Sequence, residues 1–134
     1  MSFRFAAGAV AVLAASCSAT PPLPEAAPAV SRTDAAACNA VLLRAANEAD
    51  ALAERRVERM MVMRFASSEA MQAYEDETRR LRLAALRMGA AMADISKAAG
   101  MEPDYRYEPA PAMDEEGVWR LIEAGDACAS ELLK

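Results

Sequence analysis

The stretch that decides the fold is DAAACNAVLLRAANEADALAERRVERMMVMRFA, residues 34–66, followed after Ser67 by SEAMQAYEDETRRLRLAALRMGAAMADISKAA, residues 68–99. In the first segment Val41, Leu42, Ala45, Ala49, Leu52, Ala53, Met60 and Met63 recur at three- and four-residue intervals, the signature of one helical face. Arg44, Glu48, Glu54, Arg55 and Glu58 fall mostly on the other sides. No Gly or Pro interrupts the segment, which is rich in the strong helix formers Ala, Leu, Glu and Arg. The pattern predicts a helix over about 34–66, with Thr33 or Asp34 as N-cap.

Ser67 and Ser68 break the pattern, and a serine here suits the cap of a second helix over about 68–99. Its apolar face is Ala70, Tyr74, Leu81, Ala84, Ala85, Met88, Met92, Ile95 and Ala99, and Gly100 is a natural stop. Two long helices joined by a short link favour an antiparallel hairpin, each arm about 50 Å long. A turn centred near residue 67 sets antiparallel neighbours at numbers that total about 134. Arg56 and Glu77, the two charged residues that fall within the apolar faces, therefore meet across the seam. They are expected to form a partly buried ion pair that fixes register, unless both heads reach solvent from their alkyl stems.

A hairpin alone leaves apolar surface open, so a third element or a second subunit is expected. Residues 100–112, GMEPDYRYEPAPA, read as an irregular crossover. Residues 113–133 read as a shorter third helix with Asp114, Glu115 and Glu116 at its start. Val118, Leu121, Ile122, Gly125, Ala129 and Leu132 share a face, with Cys128 on its flank. The fold class is thus all-α, with the domain covering residues 33–134. Tyr105, Tyr107 and Trp119 are expected to cover the hairpin seam as a lid, or else to form a partner patch.

The N-terminal residues carry an address. Arg4 precedes an apolar run from Phe5 to Ala15, too short to span a bilayer. The run ends in Leu13-Ala14-Ala15-Ser16-Cys17, which resembles the lipobox of bacterial lipoproteins, with Ala14 where that motif usually carries leucine. The resemblance covers the signal alone. It implies a signal peptide over residues 1–16, diacylation at Cys17 and anchoring in the cell envelope. Ser18 after the cysteine is similar to lipoproteins sorted to the outer membrane, on its periplasmic face. The other reading is an ordinary secretory signal, cut here or after Ala19, that delivers a soluble periplasmic protein. Residues 17–32 contain Pro21, Pro22, Pro24 and Pro28 and read as a semi-extended tether.

Of three cysteines, Cys38 and Cys128 remain after Cys17. In an oxidising compartment such a pair reads as a disulfide rather than two buried thiols. It closes a loop of about 90 residues, worth about 4 kcal/mol in the chain-entropy account. Cys38 lies at the open end of the hairpin, so the third helix must bring Cys128 there. It does so either by packing lengthwise, antiparallel to the first helix, or by lying across the open end.

The chemistry is sparse. The chain has no histidine, which removes the commonest general base and transition-metal ligand. The five glycines form no phosphate cradle. Residues 33–99 carry ten basic and ten acidic side chains, whereas residues 100–134 carry three basic and nine acidic. The acidic third argues against nucleic acid. No catalytic residues and no cofactor are expected. The expected role is structural or interaction work in the envelope, held to the membrane by a lipid anchor and binding an envelope protein or a second copy. Two rival readings come from other classes. Met60, Met63 and Met71 near the turn suit Cu(I) thioether ligation, or simply core filling. A cleft between the three helices would suit a lipid or another small apolar ligand.

Overall fold

The structure, a computed structural model, describes residues 27–134. The expected signal over residues 1–16, the expected lipidation site Cys17 and the expected tether as far as residue 26 lie outside the described residues. Three helices follow in order: α1 (Arg32–Met60), α2 (Ser68–Ala98) and α3 (Glu115–Leu132). α1 and α2 form the long antiparallel hairpin. α3 packs mainly on α1 and less on α2. Among the described residues, no helix is long and apolar enough to cross a membrane.

The core is the seam expected from periodicity. Leu42, Ala45, Ala49, Leu52 and Ala53 of α1 are buried against Leu81, Ala84, Met88, Met92 and Ile95 of α2. Val118 and Ile122 of α3 close the third side. Four of these twelve side chains are alanines, Ala45, Ala49, Ala53 and Ala84, which let the helices approach closely. The tightest approach is at Gly125, where a Cβ would stand 2.6 Å from the Met88 sulfur and 3.2 Å from Leu42 Cδ2. A side chain there would force Met88 and Leu42 to shift. The space between the three helices, where a carried ligand would sit, is filled at this level.

Each helix starts on a side-chain cap. The amides of Asp34, Ala70 and Gly117 donate to the side chains of Ser31, Ser67 and Asp114. Each cap satisfies one of the free N–H groups of a first turn. α2 ends as its sequence predicts. Gly100 takes φ +63°, its amide donates to the Lys97 carbonyl, and the Met101 amide donates to Ser96. This is a Schellman close, which needs a left-handed residue after the cap.

Four expectations need correction. The first helix stops at Met60, not Ala66. Nothing in MVMRF breaks a helix locally; the stop is tertiary, because Phe65 turns back to stack edge-on against Tyr74 with ring centroids 5.5 Å apart. The N-cap is Ser31 rather than Thr33 or Asp34. The end of the tether also belongs to the fold, since Val30 is buried and its amide donates to the Ala98 carbonyl. Finally, Glu48 is buried rather than solvent-facing, because the crossover lays Tyr107 over it.

Candidate functional site

Arg56 is the most heavily partnered side chain among the described residues. It sits in the upper part of α1, and its side chain is 6% exposed. Its Nη2 lies 3.4 Å from Glu77 Oε2, the residue expected opposite it. Its closer carboxylate is Glu115 on α3, whose Oε1 accepts from Nη1 at 2.5 Å. Nε donates to Thr78 Oγ1 at 3.0 Å, and Nη2 also donates to the Tyr74 carbonyl at 3.3 Å. The guanidinium carbon stands 3.9 Å from the centre of the Tyr74 ring, a cation–π contact. Tyr74 Oη in turn donates to the Arg56 carbonyl. One cation thus joins all three helices at the level where α3 begins. Glu115 was legible only as a helix-start residue; its role here depends on α3 lying lengthwise, which the sequence left open.

At the other end, Cys38 and Cys128 form a disulfide with Cα atoms 5.8 Å apart. With Glu115 on Arg56 and Cys128 on Cys38, α3 runs antiparallel to α1 along its length. The alternative of a helix lying across the open end does not occur. Between these two ties the seam carries one polar pair, Asn39 Nδ2 donating to Ser96 Oγ at 2.9 Å, both buried. The Asn39 side-chain oxygen, Oδ1, is buried with no hydrogen-bond partner among the described residues. The pair fits the expected register and specifies it from inside the core.

The crossover is fastened by Tyr107, whose hydroxyl donates to Glu48 Oε1 at 2.8 Å. Burial first, and the bond to Glu48 second, push the Tyr107 hydroxyl above the ordinary tyrosine value. Tyr105, expected in the same lid, is 54% exposed and does not cover the seam. Trp119 lies at the α2–α3 edge, 5.2 Å from the Arg80 guanidinium. Seven residues further along both helices Arg87 grips Asp126 through two parallel bonds of 3.0 and 2.9 Å, which raises the arginine's pKa.

The methionines divide into two groups. Met88 and Met92 are core residues. Met63 and Met71 are exposed near the turn, while Met60 is half-buried on a groove with Val57, Thr78 and Arg79. Among the described residues, no group of three or more Asp, Glu or Cys side chains is placed to hold a metal ion.

A groove of about 430 Å³ runs along the hairpin, walled by α1 and α2 alone. Ala46, Asn47 and Asp50 of α1 form one bank, and Arg82, Ala85 and Leu86 of α2 form the other. Leu86 is 72% exposed. Arg82 also borders the Met60 groove, so the two concavities are contiguous. Periodicity could not find this surface, because Leu86 lies outside the predicted apolar face. Comparison of the chain with protein-family models, with curated proteins and with solved structures finds no match.

Proposed function

We propose that this chain is a cell-envelope lipoprotein. Cys17 carries the acyl anchor, and the helical domain works as a structural or interaction module on the periplasmic side of the outer membrane. The motif Leu13 to Cys17 supports the anchor. A disulfide between the first and last helices suits an oxidising compartment.

The observation that carries the interaction role is the open groove. A three-helix domain with a thin core keeps one helix-sized face uncovered, bordered by an exposed leucine and small residues that admit close approach. Asp50 and Arg82 stand on opposite banks, so a second copy related by a two-fold axis can set each charge against its opposite. An envelope protein with an amphipathic helix meets the same requirements.

Intact mass of the membrane-extracted protein, with and without reduction, tests the address. The expected mass begins at Cys17, carries acyl chains, and shows two thiols alkylated only after reduction. An unlipidated mass ends the lipoprotein reading. Photo-reactive side chains at positions 86 and 123 test the groove in living cells. Cross-linking specific to position 86, to a second copy or to one envelope protein, is expected. Equal labelling at exposed position 123 on α3 ends the groove reading.

A further inference from the structure

The hairpin turn does not hide its apolar residues. Met61 and Val62 are 83% and 82% exposed, the highest values for large apolar residues among the described residues. Met63 next to them in the chain is 43% exposed, and Met71 in the first turns of α2 is 42% exposed. The turn is not free to fold them away. The amides of Val62 and Met63 both donate to the Arg59 carbonyl, which closes the end of α1. Phe65 is pinned on Tyr74, itself held by Arg56. One aromatic side chain is thus drawn inward, and the four residues before it, Met61, Val62, Met63 and Arg64, are presented outward on a crest.

The charge of this tip is opposite to that of the rest of the molecule. Residues 59–66 hold Arg59 and Arg64 and no acidic side chain, in a chain of net charge −5. Both arginines are exposed. The nearest acids in sequence, Glu58 and Glu69, lie outside the run. The crest is convex, and its apolar area is of the order of a few hundred Å². A stable protein interface needs about 800 Å² from each side. A convex apolar crest edged with arginines matches an interfacial lipid contact instead, with apolar side chains at the acyl boundary and cations at the headgroups.

We infer that the hairpin tip, residues 61–65, is a lipid-contacting element: Met61 and Val62 enter the interface of an anionic membrane while Arg59 and Arg64 meet its headgroups. This does not rest on the anchor. The tip lies at the pole opposite Val30, about 43 Å away along the 29 residues of α1.

The test uses the full chain with a reporter at the crest, Val62→Trp in a Trp119→Phe background, and a companion with Leu86→Trp instead. Vesicles of phosphatidylglycerol and phosphatidylethanolamine should shift the emission of the crest reporter to the blue, and brominated lipid should quench it. Phosphatidylcholine vesicles should do neither, and the position-86 reporter should respond to none of them. Adding R59Q/R64Q should lower the inserted-to-free ratio of the crest about 30-fold, at roughly 1 kcal/mol per arginine near an anionic surface. Unchanged crest emission with anionic vesicles overturns the inference. So does equal insertion into neutral vesicles, or a shift that grows with protein concentration and needs no lipid, which would make a second copy the occupant. Should the Trp119→Phe background unfold, hydrogen exchange on the unaltered chain decides the matter. Anionic vesicles must then protect amides 61–66 and leave amides 82–90 as they were.

Discussion

The two ends of the hairpin hold together by opposite means. At the turn end α1 and α2 are joined by the chain itself, and the connection is loosely covered, with Met61 and Val62 in water. At the open end no peptide joins the helices, yet everything there is fastened. Cys38 is bonded to Cys128, the Val30 amide reaches Ala98, and Arg32 donates to the Gly100 carbonyl. Where the backbone supplies proximity, the sequence leaves the surface free for other use. Where it does not, covalent and hydrogen bonds replace it.

If that contrast is right, damage at the open end should cost most. Cys38→Ala/Cys128→Ala should lower unfolding free energy in urea by about 4 kcal/mol, the entropy of a loop this long. A loss under about 1 kcal/mol would mean that packing alone holds α3. Arg56→Met comes next, at about 2–3 kcal/mol. That is below the full penalty of breaking a buried pair, because Glu77 and Glu115 are 41% and 38% exposed and stay hydrated. Hydrogen exchange should rise in the first turns of α3 and remain unchanged at Cys128.

Tyr107→Phe should destabilise by about 1–2 kcal/mol, since buried Glu48 loses its donor. This contact also carries a pH signature. The Tyr107 hydroxyl titrates above its ordinary 10.0 in the folded chain, so its stabilisation is complete below pH 10. It falls as pH rises past that value and is lost above the folded pKa. Stability measured across alkaline pH should show this decline in the parent and not in Tyr107→Phe. The smallest effect belongs to the tip. Met61→Ser/Val62→Ser should change stability by no more than about 0.5 kcal/mol, because neither side chain is packed. A larger loss would erase the distinction between the two ends.

Much of this architecture is legible in the sequence because it is periodic. Leu42, Leu81, Met88, Met92 and Ile95 all lie on the predicted faces and all are fully buried. The cysteine pairing follows from number, since two cysteines are left once Cys17 is assigned to the signal. What escaped reading lacks a period or depends on a third body. Glu115 reaches Arg56 only because α3 lies lengthwise on α1. Glu48 looks like a surface acid until an irregular crossover sets Tyr107 on it. The end of α1 at Met60 is invisible locally, since it is set by a ring stacked nine residues further on, Phe65 on Tyr74. The groove at Leu86 is missed for the converse reason: an exposed leucine outside the core stripe carries no signal until its neighbours are known.

The ties at the open end also set how the domain bears tension. A pull on residue 30 enters α1 at Ser31 and within eight residues reaches Cys38, where a covalent bond passes it to α3. The Arg32 contact with Gly100 and the Val30 contact with Ala98 pass part of it to the end of α2. All three helices therefore share the load at the point where it arrives.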